Sequence, residues 1–530
     1  MAIDEKPWWV GGTIYHIYLR SWVDGNGDGV GDLYGAREQL GYLAWLGVDA
    51  VWLSPTMPSP NTDWGYDVSD YLGVHPEFGD RVALEAFVSD ARAHDLAVVL
   101  DLVPNHSSDQ HAWFIEAVEH PDSNKHEYYV WASGTDDGHP PNNWVDATGS
   151  SAWTWHPTVG KYYLHNFLQS QPDLNWWCDE VHAEFESILR FWFDLGIAGF
   201  RIDVAHGLYK DVDLRDDPPT TDLRDLSSHF GLVEAFSKNR PEVHQVYRAW
   251  RALAEQYDPP RLLLGETWTN DFDRWADFFG SNDELQLAFN FRFFFAPFRA
   301  PALAEVVDET LKRVPQGCTT VWSASNHDVS RFPTRWCENR PERGRAAMVL
   351  LTTLPGTLVL YYGDELGLGD VELAPDELRD PMTAGVAGAS FLRDRARTPM
   401  VWEPDGNRGF TRDDATPWLP IRRDPGVDVH SQQENLFSHL HLTRSLLALR
   451  RRFDLSDPRS YRLLSVDDTH WSFAVGDLLV LANLSDEPRD HATSGEIVLS
   501  SNPRSSLGLG GGDSELLAPW EVVVEVSARS

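Results

Sequence analysis

The chain has 530 residues, enough to bury a large core and to form more than one folding unit. Its 42% apolar and 12% aromatic content, with 23 Trp, excludes a disordered or low-complexity chain. Asp and Glu outnumber Lys and Arg 81 to 44, and the formal charge of −37 repels phosphate backbones and anionic lipid, so nucleic acid and membrane surfaces are excluded as partners and a neutral or cationic small ligand remains. Three cysteines, Cys178, Cys318 and Cys337, show no CxxC spacing and cannot form a disulfide framework. The N-terminus MAIDEKPWWV has no basic and apolar leader, and no apolar run reaches 18 residues. The expectation is a soluble, cytoplasmic protein; nothing here chooses between monomer and homodimer.

In chain order, short β-branched or apolar runs recur at Thr13–Leu19, Val48–Leu53, Ala97–Val103, Ala198–Val204, Leu262–Leu264, more weakly Leu285–Phe291, then Thr319–Ser323 and Thr357–Tyr362. Near-continuous apolar runs suit strands buried on both faces. Amphipathic segments lie between them, at Ala36–Leu46, Ala83–His94, Val181–Leu195, Val243–Gln256 and Arg343–Thr353. Eight strand–helix units predict an α/β fold, a (β/α)8 barrel of the TIM type, spanning 1–104 and 174–454. An irregular stretch rich in Asp, Asn, Gly, His and Trp at 105–173, with few helical signals, predicts a small subdomain inserted after strand three. A Pro/Asp/Arg-rich stretch at 366–432 follows strand eight, and Glu434–Phe453 reads as a helix. Beyond 454, short strands with Gly, Asp and Ser turns predict an all-β C-terminal domain at 455–530, a β-sandwich. A Gly-rich tract at 507–513 has no strand-to-helix context and is not a phosphate loop.

Active residues of a barrel sit where its strands end. The polar residues there are Asn105 and His106 after strand three, Arg201 and Asp203 at strand four, Glu266 after strand five, Asn326, His327 and Asp328 after strand seven, and Asp364 and Glu365 after strand eight. Asp203, Glu266 and Asp328 come from three strands and face one mouth. Burying three acids together is costly without cations, shared protons or a function. Chemistry that requires two carboxylates at one point is glycoside hydrolysis, with one as nucleophile and the other as acid/base. Most tryptophans serve packing, and Trp64, Trp176 and Trp268, near the polar clusters, are the candidates for stacking on sugar.

These residues fall in ordered motifs: GVDAVWLSP at 47–55, DLVPNHSS at 101–108, QPDLNW at 171–176, GFRIDVAHG at 199–207, GETW at 265–268, SNHD at 325–328 and GDELGL at 363–368. The chain thereby resembles the α-amylase superfamily, glycoside hydrolase family 13, in its oligo-1,6-glucosidase/α-glucosidase group; QPDLN points to the α-glucosidase side. The resemblance implies that Asp203 is a nucleophile forming a covalent glucosyl-enzyme, held ionised by Arg201, that Glu266 is the general acid/base, and that Asp328 grips the sugar hydroxyls. It implies hydroxyl-binding roles for His106 and His327. It implies stacking by Tyr66, a pocket-capping carboxylate at Asp67, an ion pair from Asp67 to Arg397 (Arg393 as second choice), and a lining role for Phe167. Such a pair makes a blind pocket for one glucose, hence exo-action. Val204 after the nucleophile goes with α-1,6 preference in this group, whereas AHG at 205–207 looks more like actinobacterial α-glucosidases, so linkage stays open.

Asp24, Asn26, Asp28, Val30 and Asp32 place oxygen donors at alternate positions, as at the start of an EF-hand, although position 12 is Gly35 and no helix precedes. With the resemblance, they are expected to hold one structural Ca2+ or Mg2+ ion, Val30 through its carbonyl; no organic cofactor is implied. The function expected is a retaining exo-α-glucosidase acting on short oligosaccharides or glucosides, with transglucosylation as a side activity. Rivals are a trehalose synthase or sucrose isomerase, a sucrose hydrolase, and a non-catalytic homologue of the transporter heavy-chain kind, which would lack the acids and carry a membrane span.

Overall fold

The computed structural model describes residues 6–222, 228–269, 271–384, 392–491, 495–503 and 516–527; the Gly-rich tract at 507–513 lies outside them. Eight short parallel strands follow one another around a ring: β1 (Thr13–Ile17), β2 (Ala50–Leu53), β3 (Ala97–Leu102), β4 (Gly199–Ile202), β5 (Leu262–Gly265), β6 (Leu287–Ala288), β7 (Val321–Trp322) and β8 (Thr357–Tyr361). β1 pairs with both β2 and β8. The remaining gap, between β6 and β7, is spanned by one parallel bridge from Phe289 to Val321. The apolar runs become strands because both faces are buried, one by the barrel interior and the other by the surrounding helices.

The helices carry the expected stripes. Asp179–Leu195 begins with Asp179 and Glu180, which complement the helix dipole, and buries Val181, Phe185, Ile188, Leu189, Trp192 and Phe193. Gly196 at φ +105° ends it in the left-handed region, open to glycine at no steric cost. The insert departs from expectation in one respect. Ala112–Glu119 is a helix, although its eight residues give too short a periodicity to stand out in an irregular stretch. Beyond it lies a three-stranded antiparallel sheet (Trp131–Ala132, Lys161–Leu164, Trp153–His156) with its own core of Ala132, Trp144, Ala152, Trp153 and Leu164. A bridge from His106 to Asp173 closes the insert's two ends over the barrel mouth.

Helix His439–Phe453 leads to the C-terminal domain. Its strands β9 (Tyr461–Val466), β10 (His470–Val475), β11 (Leu478–Asn483), β12 (Gly495–Ser500) and β13 (Val522–Ser527) form one antiparallel sheet, in the order β9-β10-β11-β13-β12. A short ladder pairs Arg489–Asp490 with Leu516–Leu517. Trp520 faces Phe298 and the Arg343 guanidinium, seating the sheet against the barrel. All three cysteines are free thiols.

Phe185 ties the insert side to the barrel, with its ring against Tyr71, Trp113, Trp176 and Trp250 and no exposure. Phe185→Ala should cost about 3–5 kcal/mol in guanidinium unfolding; a loss below about 1 kcal/mol would mean these rings do not depend on it.

Candidate active site

Side chains two apart on a strand share a face, so each barrel strand sends an alternating series inward. Low in the barrel the series is apolar: Ile14, Ala50, Val99, Leu262, Leu287, Val321 and Val359 pack together. Toward the C-terminal ends the same alternation delivers Asp101 two residues after Val99, Arg201 on β4 and then Asp203 just past its end, and Glu266 two after Leu264. Asp101 and Arg201 are direct partners across β3 and β4. The interior thus passes from hydrocarbon to charge along its axis.

Arg201 is buried at the centre of that charge. Nη1 reaches Asp101 Oδ1 at 2.8 Å and Asp203 Oδ1 at 2.7 Å, and Nη2 reaches Glu266 Oε1 at 2.6 Å. One guanidinium therefore bridges the two acids expected to share the reaction. Glu266 Oε2 accepts the backbone N–H of Val204 at 3.0 Å. Val204 stands at φ +45°, an uncommon strained conformation for a β-branched residue, immediately after Asp203. Asp101 also accepts from Tyr66 Oη at 3.0 Å and Trp52 Nε1 at 3.2 Å.

Across the pocket, Asp328 Oδ1 accepts from Arg397 at 2.9 Å and Arg393 at 3.2 Å, and its Oδ2 lies 3.1 Å from His327 Nε2. Arg393 also bonds Asp63 Oδ1 at 2.8 Å and Asp380 Oδ1 at 2.6 Å. The Tyr66 ring stacks on His327, centroids 5.1 Å apart and planes 3° from parallel. His106 Nε2 lies 3.1 Å from the Tyr66 carbonyl, with the Phe167 ring 5.0 Å away. Gln171 donates to Asp63 Oδ2 at 3.2 Å.

The acids fall into two electrostatic groups. Burial pushes Asp203 well up; Glu266, Asp101 and Asp328 push the same way, and Arg201 opposes without prevailing. Burial likewise raises Asp101 to about 6 against the pull of Arg201. Asp328 is only half-buried, and the Arg393 and Arg397 guanidiniums, with His327 Nε2 beside it, hold it well below the usual carboxylate range. Burial lowers His327 strongly and His106 to about 4, so both rings are neutral.

Two expectations need correction. Arg201 was expected to hold Asp203 ionised, but one cation among three buried carboxylates cannot offset their desolvation and mutual repulsion. The Asp67–Arg397 pair does not form. Asp67 accepts from Ser59 and from the backbone N–H groups of Thr62 and Asp63, closing its own turn. Asp63, four residues earlier, is instead the carboxylate that pairs with an arginine of that stretch, Arg393, while Arg397 pairs with Asp328. Asp101, Gln171 and Asp380 went unread. Asp101 had a signal, because a carboxylate inside an apolar strand requires a buried cation. Of the tryptophans, Trp176 is core, donating to the Pro104 carbonyl. Trp64 lies at the rim beside Trp418, and Trp268 stacks on Phe291 at 3.9 Å, two residues past Glu266.

The acidic loop after β1 turns its carboxylates onto backbone amides. Asp24 accepts from Gly27 and Gly29, Asp28 from Val30, and Asp32 from Gly25, Asn26 and Gly35. Thr411 Oγ1 donates to Asp24, and the Trp418 N–H to the Gly29 carbonyl, so the loop clasps the 410–418 segment that carries Trp418 to the rim. The donors suit a hard cation, being all oxygen. Among the described residues no three His, Cys, Asp or Glu side chains are grouped as metal ligands.

The family model of the α-amylase catalytic domain matches residues 16–456, and that of a domain of unknown function, DUF3459, matches 460–524. A probable alpha-glucosidase of Rhizobium meliloti is 39% identical over 467 residues, covering 84% of this chain and 83% of its own length. An oligo-1,6-glucosidase of Heyndrickxia coagulans is 32% identical, covering 91% and 94%. Among solved structures, the alpha-glucosyl transfer enzyme XgtA superposes with a TM-score of 0.91 at 34% identity, over 99% of this chain and 100% of its own. A trehalulose synthase MutB mutant superposes at 0.89 with 28% identity, over 98% and 100%. Fold and paired carboxylates define a barrel glycosidase. The chain belongs to the α-amylase family, glycoside hydrolase family 13, and is a glycoside hydrolase. Among the described residues no helix is long and apolar enough to cross a membrane.

Opposite shifts predict opposite stability effects. A raised acid costs stability above its unfolded value of about 3.9, so Asp203→Asn should raise the Tm at pH 7, a gain that fades as pH falls toward about 4. A depressed acid contributes stability above that value and loses it on acidification. Asp328→Asn should therefore lower the Tm at pH 7, with the difference from wild type closing below about pH 4. Thermal melts across pH check both; shifts of the same sign would contradict the electrostatic division.

Proposed function

We propose that the chain is a retaining, exo-acting α-glucosidase that removes glucose from the non-reducing end of short α-glucosides. The observation that carries this reading is a single guanidinium bridging Asp203 and Glu266, with the Asp63–Arg393–Asp380 ion cluster opposite, which we read as the closed end of a pocket for one glucose. In the first step an Asp203 oxygen attacks the anomeric carbon. The bond from that carbon to the glycosidic oxygen breaks, and Glu266 gives its proton to the leaving oxygen. The glucosyl ester on Asp203 then reacts with water, from which Glu266 takes a proton. Glucose hydroxyls donating to Asp203 and positive charge developing at the anomeric carbon both favour its ionised form, so as substrate binds Asp203 gives up its proton to Glu266, which then carries the proton the leaving oxygen receives. Asp328 is kept ionised by its two arginines and His327, and it strengthens its hold on the sugar hydroxyls as that charge grows. His106 and His327, both neutral, and Tyr66 complete the wall around one glucose.

Asp203→Ala should reduce release of 4-nitrophenol from the aryl α-glucoside to background, and near-wild-type turnover would defeat the assignment. Asp63→Ala opens the closed end and should raise KM for the aryl glucoside more than it lowers kcat; an unchanged KM would remove the ion cluster from the substrate site. Relative kcat/KM on maltose and isomaltose decides linkage.

A second reading, glucosyl transfer or sucrose isomerisation, is favoured by the two structural relatives named above and by the aromatic pair Trp268–Phe291 beside Glu266, which would limit water at the covalent intermediate. Product analysis at high sugar concentration separates it from hydrolysis. For the acidic loop, the proposal is a structural Ca2+ or Mg2+ that draws Asp24, Asn26, Asp28, Asp32 and the Val30 carbonyl together, bracing the 410–418 segment. Chelation should lower the Tm and added Ca2+ restore it; a Tm indifferent to both would reject the ion. Three free thiols support a reducing compartment, the cytoplasm.

A further inference from the structure

The turn after Asp203 runs through Ala205-His206-Gly207, and Lys210 follows it. The Lys210 ammonium is only 3% exposed. Its Nζ lies 2.7 Å from Asp173 Oδ2, and it donates to Asn105 Oδ1 at 2.7 Å and to the Gly207 carbonyl at 2.6 Å. Three segments meet there: the end of β3, the end of the insert and the turn beyond β4. Asp173, wholly buried, also accepts from the Asn166 backbone N–H at 2.8 Å and from Asn105 Nδ2 at 3.2 Å.

This arrangement fixes more than backbone. An ammonium only donates, so Lys210 sets which end of the Asn105 amide is its oxygen. The Asn105 amide nitrogen then faces His106 Nδ1 at 3.1 Å, which must accept. The His106 proton therefore sits on Nε2, where the Tyr66 carbonyl, an acceptor only, receives it at 3.1 Å. The Gln171 amide nitrogen 3.2 Å from Nε2 gives its hydrogen to Asp63 instead. On the other side, a Cβ on Gly207 would lie 2.7 Å from Val204 Cγ1 and 3.1 Å from Asn105 Oδ1. Only glycine lets this turn press against both, and the Lys210 bond to its carbonyl holds it there.

We propose that Lys210 is a positioning residue, which through Asn105 sets the tautomer of His106 and through the Gly207 carbonyl holds the strained turn carrying Asp203. It touches no substrate. The proposal rests on the glucosidase reading, which an inactive wild-type enzyme would refute separately.

The test uses the full-length enzyme, 4-nitrophenyl α-D-glucopyranoside and thermal melts. Lys210→Met alone strands the Asp173 charge and should lower the Tm sharply. The neutral double variant Asp173→Asn/Lys210→Met removes both charges and should regain most of that Tm. Its kcat should nevertheless stay about 100-fold below wild type, with KM within about threefold, because the nucleophile and the sugar wall are displaced while the pocket survives. Recovery of kcat together with Tm would show a purely structural ion pair and overturn the proposal. So would a rise in KM with kcat unchanged.

Discussion

One positive charge organises this barrel mouth. Arg201 lies where β3, β4 and β5 deliver Asp101, Asp203 and Glu266, and its guanidinium contacts all three. Three buried carboxylates around one cation are under-compensated, which is why burial pushes Asp101 and Asp203 upward despite the contact. Such a site is poor for stability and well suited to holding positive charge that appears only during reaction, because its negative potential is already in place and needs no reorganisation.

The opposite wall has the reverse balance. Asp328 has two guanidiniums and a histidine and stays ionised. The cations there are themselves tied down, Arg393 by Asp63 and Asp380 and Arg397 by the His327 carbonyl. These ties come from the stretch after β8 and from the turn at 61–67, neither of which belongs to the barrel ring. The barrel thus supplies Asp203 and Glu266, and the added segments supply the ion cluster opposite them. The insert contributes Gln171, Phe167 and the bridge over the mouth, and the acidic loop anchors the segment bearing Trp418.

The reach of sequence reading follows the same division. All eight strands were legible because burial on both faces leaves a continuous apolar run, and the three acids because they follow those runs directly. β6 and β7 came out shorter than their apolar runs, two residues each, because the ring is narrowly joined there. The carboxylate that pairs with the arginine after β8 differs from the expected one for a physical reason. Asp63 and Asp67 sit in one five-residue segment, and which of them faces the pocket depends on which one caps the turn through backbone N–H groups. Spacing alone carries no such information. Asp380 comes from a stretch without periodicity, and Asp101 was hidden inside an apolar strand. The short helix in the insert escaped because two turns do not establish a period. Membership of the glycoside hydrolase family, by contrast, was readable from ordered motifs spread over most of the chain, and the comparisons show it.

The central claim is that Asp203 forms a bond to glucose while Glu266, on the same guanidinium, manages the proton. Trapping the intermediate with a fluorinated α-glucosyl fluoride and mapping the labelled peptide by mass spectrometry tests this directly. The account predicts a single added fluoroglucosyl group on the peptide spanning residue 203, with its formation matching loss of activity. A label on another carboxylate, or complete inactivation with no covalent adduct, would contradict it.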